Sequence, residues 1–391
     1  MKKLSILILV LFVCVAFAVP AVAKVTMGGK VYVDTMFIKN DEHFQRNSAA
    51  VAAVINSLDA SRSWFTIDVP GSTRLYGKWT NDAGDVGMHI EIGLRGEEGG
   101  AEAVNTRYAY GWWKINPMFK LTVGQQDEVI GPYKAGQSMG VHGKLGTRND
   151  NNMDHTGLRG FGNVGNDRKE GVRLDVKLGE KSNLAVAIFT PNVNAVEGNW
   201  NAADEEETLP RIDIVYSVSL GSFSLAPGFS WQSVQYEWDP NDESDFEAWV
   251  WSLPVKFAPG GPITVTAEIN WGENLGNGNW NIGRYTNIAP NNTMITGAQF
   301  DVVNGAVQFA DTEFMGFWAD LSWKAHPIVT IHFLYGLQQL KNDDRFAQAN
   351  RWDNTRNAYG VSIPIKVAKG FTIRPEVFFY DYGEHEINGV V

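Results

Sequence analysis

The chain has almost no cysteine. The single residue, Cys14, lies in an N-terminal segment with the features of a secretory signal. Lys2 and Lys3 form its basic start, Leu4 to Ala18 its apolar stretch, and Ala21 to Ala23 a cleavage site of small residues. The sequence therefore predicts a signal peptide at 1–23 and an exported single domain at 24–391, without thiol or disulfide.

Several other features are missing, and each absence excludes a class of protein. After residue 23 there is no apolar run long enough for a membrane helix. Lysine and arginine number 33 against 44 acidic residues, which disfavours nucleic acid as a partner. No HExxH pair and no recognisable Ser, His and acid set appears. We therefore expect no enzyme activity, no catalytic residue and no cofactor.

What the chain does contain is alternation of apolar and polar residues at period two. In Arg211 to Leu220, one set holds Ile212, Ile214 and Tyr216, and the other holds Arg211 and Asp213. Because successive side chains of a strand point to opposite faces, each such segment has one apolar and one polar face. Many segments of this kind after an export signal predict a transmembrane β-barrel with lipid outside and water inside.

The connections between these segments alternate in length. Short turns such as Gly221-Ser222 and His326-Pro327 alternate with long polar loops, of which 128–170 is the longest. Outer-membrane barrels have this alternation, whereas a soluble β-sandwich or propeller has no reason to maintain it. The predicted fold class is all-β, a transmembrane antiparallel β-barrel of sixteen-stranded design.

Only fifteen strands can be read from the periodicity, and a closed barrel needs an even number. Two explanations are open. The final strand is truncated in this chain, since few residues follow Gly383, or one strand has been missed, with Trp64 to Val69 the candidate.

Several fragments resemble the general porins of Gram-negative outer membranes. These are the opening Lys24 to Gly29, Ser72 to Lys78, Arg107 to Gly111, and Phe119 to Gln126 before the longest loop. The resemblance implies a sixteen-stranded homotrimer in the outer membrane, in contact with lipid and lipopolysaccharide, that passes ions and small hydrophilic solutes. It also implies that the third loop, about 128–170, folds into the pore. The family's terminal aromatic residue is absent, since this chain ends in Gly389-Val390-Val391.

The resemblance also suggests pore-lining residues. In such porins, basic residues on the wall face acidic residues of the third loop at a constriction. The candidate residues here are Arg74, Lys78, Arg95 and Arg107 on the wall, and Asp127, Glu128, Asp150 and Asp154 opposite them. The alternative is that these charges only solvate the lumen or cap turns.

Two further motifs in the third loop are weaker. Asp150, Asn152 and Asp154 resemble the start of a calcium loop, but His155 replaces its glycine and Phe161 its final glutamate. Gly160 to Gly165 matches the dinucleotide-binding glycine pattern, but it lacks the flanking strand and helix and is predicted to be a loop.

Three functions remain open from the sequence. The first is a passive diffusion channel. The second is a substrate-specific channel for a sugar or an anion such as phosphate. The third is a non-channel structural or adhesive barrel. A specific channel predicts a lumenal track of aromatic residues or a tight cluster of lysine and arginine. The inward aromatic residues identified by alternation lie on non-adjacent strands: Tyr32, Tyr76, Phe314, Trp318 and Tyr380.

Overall fold

A computed structural model describes most of the region predicted to be exported. The described residues are 24–39, 63–69, 73–95, 103–136, 157–158, 160–165, 168–191, 204–205, 209–239, 242–278, 280, 299–303, 306–342 and 353–381. The signal segment at 1–23 lies outside them. None of the helical structure in these ranges is long and apolar enough to cross a membrane.

Strands account for nearly all of the regular structure. The first eleven are β1 (Lys24–Lys30), β2 (Asp34–Lys39), β3 (Ser63–Asp68), β4 (Arg74–Thr80), β5 (Val86–Arg95), β6 (Ala103–Lys114), β7 (Phe119–Asp127), β8 (Arg168–Lys177), β9 (Ser182–Phe189), β10 (Asp204–Glu205) and β11 (Arg211–Leu220).

The remaining elements include one short helix, α1 (Leu275–Gly278). The strands are β12 (Phe223–Leu225), β13 (Gly228–Asp239), β14 (Asp242–Phe257), β15 (Ile263–Glu273), β16 (Gln299–Val303), β17 (Ala306–Ala310), β18 (Thr312–His326), β19 (Val329–Asn342), β20 (Asp353–Ser362), β21 (Ile365–Ala368), β22 (Phe371–Ile373) and β23 (Glu376–Asp381).

The strands pair antiparallel with their neighbours in sequence, as predicted. Pairing runs from β1–β4 through β15–β18 to β20–β23, while β16 and β17 form a separate hairpin. Several strands are interrupted: β1–β2, β3–β4, β10–β11, β12–β13, β20–β21 and β22–β23 each form one pass. Grouped in this way, the described residues form fifteen passes.

The two explanations for the odd strand number can now be placed on the structure. The segment around Trp64 to Val69 does form a strand, β3, which pairs with β2. It continues into β4 and so adds no further pass. A sixteenth strand after β23 would fall on residues 382–391, which lie outside the described residues.

Alternating burial along the strands separates an inner from an outer face. On β11, Arg211, Asp213 and Val215 are buried, whereas Ile214 and Tyr216 are exposed. The same alternation leaves outward apolar side chains exposed around the sheet: Leu75, Met88, Val104, Val123, Val172, Ile188, Trp251, Leu253, Ile269, Trp271, Met315, Leu321, Phe333, Tyr359, Val377 and Phe379.

The sheet curls around the segments that follow β7. Phe161 lies 5.3 Å from the ring of Tyr380 on β23, and Asn270 on β15 donates to the carbonyl oxygen of Gly162 at 2.7 Å. Strands so far apart in the pairing order can contact one segment only if the inner face is concave.

Apolar packing is concentrated where these segments meet the inner wall. One cluster joins Val129, Ile130 and Val164 to Phe189 and Trp280. A second joins Leu158 and Phe161 to Trp318, Leu334 and Ala358. Tyr133 packs against both clusters, and burial raises the pKa of its hydroxyl above the ordinary value. The interior therefore contains packed loop segments as well as polar surface.

Candidate functional site

A compact group of charges lies on the inner wall of β4, β5 and β6. Glu91 Oε1 accepts hydrogen bonds from Arg107 Nε at 2.7 Å and Arg74 Nη1 at 3.2 Å. The three side chains are 6–16% exposed, so the bonds are only partly accessible to solvent. Two arginines share one carboxylate, and the group carries a net positive charge.

A β-bulge in β6 places Arg107 in this group. Glu91 pairs with Tyr108 and Ile92 with Thr106, so Arg107 is the extra residue between them. An extra residue changes the phase of the strand, and two neighbouring side chains can then point to the same face. Tyr108 and Arg107 both point inward, while Val104, beyond the bulge, is 60% exposed on the outside.

The first two acidic candidates lie at the end of β7 but contact different partners. Asp127 accepts a hydrogen bond of 2.7 Å from the Tyr108 hydroxyl. Glu128 pairs with Arg211 Nη2 at 2.9 Å, and both side chains are fully buried. Asp127 therefore lies beside the basic group, whereas Glu128 is ion-paired with Arg211 on β11.

Arg211 joins three parts of the chain. Its guanidinium also bonds Asp213 on its own strand, at 2.8 and 3.1 Å, and Ser230 on β13. The ring of Trp280, from the loop after β15, lies 4.8 Å from the guanidinium carbon and donates through Nε1 to Ser230 Oγ. The carboxylate partners and the aromatic face stabilise the buried guanidinium, although Nη1 has no hydrogen-bond partner among the described residues.

Two loops meet beside this arginine. The backbone amide of Gly165 donates to the carbonyl oxygen of Trp280 at 3.2 Å. Leu275 and Trp280 are both fully buried. The loop after β15 thus contacts the loop after β7 inside the sheet.

Carboxylates on β15 and β18 hold the loop after β7. Glu268 Oε1 accepts from the Val164 amide at 3.4 Å and from Asn270 at 2.8 Å. Asp320 accepts from the Gly136 amide at 2.7 Å and contacts His332 Nδ1 at 3.0 Å. These bonds attach both described parts of the loop to the wall.

A cavity of about 170 Å³, lined by both polar and apolar residues, remains between the start of this loop and the wall of β8, β9 and β11. Its lining includes Asp127, Lys134, Arg173, Asn183 and Ser217. Arg173 is bonded to Asp175 at 2.6 Å. The loop therefore does not fill the space on this side.

The structure brings together only some of the predicted site residues. Arg74, Arg107 and Asp127 lie on neighbouring strands, and Lys78 is exposed on β4. Arg95 ends β5, and no placement of its side chain is described. Asp150, Asn152 and Asp154 lie outside the described residues, as does most of the calcium-like segment. The described residues contain no group of His, Cys, Asp and Glu that would hold a metal ion.

Sequence reasoning missed the contacts of Arg211, Glu268, Asp320 and Trp280. The only signal was the spacing Arg211-x-Asp213 on the inward face, which places two opposite charges side by side. Nothing in the sequence indicated that Trp280 would reach them across the interior.

Comparison with known proteins adds structural relatives. No family model matches the sequence, and no curated protein matches it. The fold is similar to that of the outer membrane channel DcaP of Acinetobacter baumannii, with 17% identity, a TM-score of 0.63, and coverage of 93% of this chain and 91% of the other.

Two further structures have the same architecture. An anion-selective porin from Comamonas acidovorans is 12% identical, with a TM-score of 0.57 and coverage of 93% and 90%. OmpT of Vibrio cholerae, in a trimer form, is 8% identical, with a TM-score of 0.52 and coverage of 92% and 89%. The chain therefore has the antiparallel β-barrel fold of outer-membrane porins.

Proposed function

We propose that this protein is a porin, a non-enzymatic channel in the outer membrane of a Gram-negative bacterium. It passes ions and small hydrophilic solutes by passive diffusion. The observation that carries the proposal is the opposite character of the two faces of the sheet.

The outer face supports a membrane location. Apolar side chains in the middle of their strands are largely exposed, for example Val123 (48%), Leu253 (43%) and Phe333 (48%). A soluble protein rarely exposes so continuous an apolar surface, whereas a barrel wall facing hydrocarbon requires one.

The inner face supports a water-filled passage. Charged groups such as Arg74, Arg173 and Asp175 lie on it and retain partial exposure. Burying these charges in a dry interior would carry a large desolvation penalty. The cavity beside Lys134, which has charged residues in its lining, also supports a water-filled passage.

We propose that the third loop, 128–170, narrows this passage. Its described parts bond to Glu268, Asn270 and Asp320 on the inner wall. Arg74 and Arg107 would then face the loop from the β4–β6 side, together with Lys78 and Arg95. The predicted acidic residues Asp150 and Asp154 would complete the constriction with Asp127. Because Glu128 is buried and ion-paired with Arg211, we propose that it is not part of the lumenal surface at the constriction.

We further propose a homotrimer surrounded by outer-membrane lipid and lipopolysaccharide. The trimer form of OmpT from Vibrio cholerae, with the same fold, supports this assembly. Chemical cross-linking of the detergent-solubilised protein should give a ladder that ends at three copies.

A planar-bilayer recording tests the function. The full-length protein, refolded in detergent, should insert and give ohmic current steps in moderate salt. Steps grouped in threes would support the trimer. A preparation that is folded by circular dichroism but carries no current would contradict the channel and favour a structural or adhesive barrel.

A further inference from the structure

Aromatic rings form a continuous track on the inner face of β4, β5 and β6. We call it the aromatic lane, and its members are Tyr76, His89, Tyr108, Tyr110 and Trp112. Neighbouring ring centroids are 5.2 to 6.2 Å apart, from Tyr76–His89 through His89–Tyr108 and His89–Tyr110 to Tyr110–Trp112. The expectation that inward aromatic residues lie on non-adjacent strands is therefore wrong for this wall, because β5 and β6 contribute rings beside Tyr76.

The register explains the continuity. Trp112 lies opposite Gly87, Tyr110 opposite His89, and Tyr108 opposite Glu91. Tyr108, Tyr110 and Trp112 occupy successive inward positions on β6. The neighbouring strand β5 adds the imidazole of His89 beside Tyr108 and Tyr110. From Trp112 to Tyr108 the lane extends about 14 Å along the strand.

Glycines on the neighbouring strands let the end rings lie along the wall. The phenol of Tyr76 occupies the space where a side chain at Gly28 would be, with Oη 2.5 Å from an added Cβ. The indole of Trp112 occupies the corresponding space at Gly87. One face of each ring is thus packed on backbone, and these partly exposed rings turn the other face to the lumen.

Charged donors and acceptors border the lane. Glu91 with Arg74 and Arg107 lies beside Tyr76 and Tyr108. The guanidinium of Arg168 lies 5.8 Å from the Tyr108 ring, and Asp127 accepts from the Tyr108 hydroxyl. Three arginines against two carboxylates give the border a net positive charge.

One polar atom within the lane has no hydrogen-bond partner in the part of the chain that the structure describes. His89 Nδ1 lies 3.2 Å from the Tyr110 hydroxyl, but its Nε2 is buried without a hydrogen bond among the described residues. A buried ring nitrogen normally has a partner.

We infer that the aromatic lane binds the ring of a sugar, and that acidic sugars bind more tightly than neutral ones. The inference rests on the proposed channel function and specifies its substrate class. Rings stack on the apolar C–H faces of a sugar, while adjacent carboxylates and guanidiniums hydrogen-bond its hydroxyls. The net positive border adds attraction for a sugar carboxylate.

The chemistry of the border disfavours the other ligands of comparable size. Free phosphate would use the arginines but gain nothing from five aromatic rings. An aromatic carboxylate would stack well but would offer no hydroxyl groups to the charged side chains that border the lane.

Current block in a planar bilayer tests the inference, with glucuronate, glucose, benzoate and phosphate as probes. Glucuronate should reduce the current through the wild-type channel saturably, with half-block in the millimolar range, and glucose should do so at higher concentration. Replacing one stacking ring, as in Tyr110→Leu or Trp112→Leu, should weaken the glucuronate block about tenfold. The matched control is Trp251→Leu, because Trp251 is an outward indole, 52% exposed.

The outcomes separate the lane from the channel itself. Saturable block that is lost in both lane variants and kept in the control supports the inference. Block by benzoate or phosphate but not by glucuronate overturns it, as does a working channel that no probe blocks. A folded wild type without current contradicts the channel proposal instead. If either Tyr110→Leu or Trp112→Leu fails to fold, the glucuronate block of the other variant tests the inference.

Discussion

Arg211 Nη2 and Glu128 Oε2 lie 2.9 Å apart with neither side chain exposed, and they join β11 to the first residue of the third loop. The pair belongs to a network that also contains Asp213, Ser230 and Trp280. The described network thus ties together the wall and two loops.

Replacing Arg211 should destabilise the folded barrel strongly. Arg211→Met keeps much of the side-chain volume but leaves Glu128 and Asp213 as buried charges without their partner. Loss of one member of a buried ion pair costs about 3–5 kcal/mol. Urea unfolding of the refolded protein in lipid vesicles measures the change in free energy of unfolding.

Arg173→Met is the matched control for this change. Arg173 also bonds an aspartate two residues along its strand, but the two side chains are 28% and 16% exposed. A partly solvated pair contributes about 1 kcal/mol or less. Equal losses in the two variants would show that the buried network has no special role.

Reversing the charge of Arg107 should change ion preference. Arg107→Glu places a carboxylate beside Glu91 and alters the charge of the inner wall by two. Since charge rings tune which ions enter a pore, the reversal potential in a salt gradient should shift toward cation preference.

Lys181→Glu makes the same charge change in the exposed turn between β8 and β9, where salt screens it. We expect a much smaller shift there. If the two variants gave the same reversal potential, Arg107 would have no place at the constriction.

Alanine at Gly162 should displace the third loop. Gly162 has φ of +89°, and an added Cβ would overlap the carbonyl oxygen of Leu337 and the backbone of Phe317. The left-handed conformation alone costs a non-glycine residue about 1–2 kcal/mol, and the overlap adds to it. We expect larger or noisier single-channel currents.

Gly260 supplies the control for this substitution. Its φ is +88°, and an added Cβ meets nothing within 4 Å. Gly260→Ala therefore carries the backbone cost without the overlap. Wild-type currents in the Gly162→Ala channel would show that the position of the third loop does not control the width of the passage.

An arginine on the outer face should test the membrane orientation. Val123 lies in the middle of β7 and is 48% exposed, while Met118, in the turn before it, is 51% exposed. At mid-membrane, Val123→Arg should cost about 2–4 kcal/mol, whereas Met118→Arg near the interface should cost about 1 kcal/mol or less. Unfolding in vesicles measures both. In a soluble protein, both substitutions would be nearly neutral.

The strands of the barrel wall could be predicted from the sequence because the face of each side chain depends only on neighbouring positions in the chain. A strand has a side-chain period of two, so the faces of Arg211 and Ile212 follow from their order in the chain. The strand Arg211–Leu220 coincides with the segment whose alternation predicted it for the same reason.

The loops could not be predicted because their contacts are distant in sequence. The motif at Gly160 to Gly165 was identified as a loop, but the backbone of Gly162 packs against β18 and β19, some 155 residues or more along the chain. Trp280 likewise reaches Arg211 and Ser230 across the interior. The periodicity within one segment gives no information about contact partners that are so distant in sequence.

The bulge at Arg107 makes the upper part of β6 sensitive to length rather than to composition. Without the bulge, the same residues in a regular ladder would place Arg107 opposite Ile92 and would turn Arg107 and Asn105 toward hydrocarbon and Thr106 toward water. A conservative exchange at Arg107 leaves the pairing intact. Insertions in this strand, and deletions other than that of Arg107 itself, should therefore be far less tolerated than substitutions of comparable size.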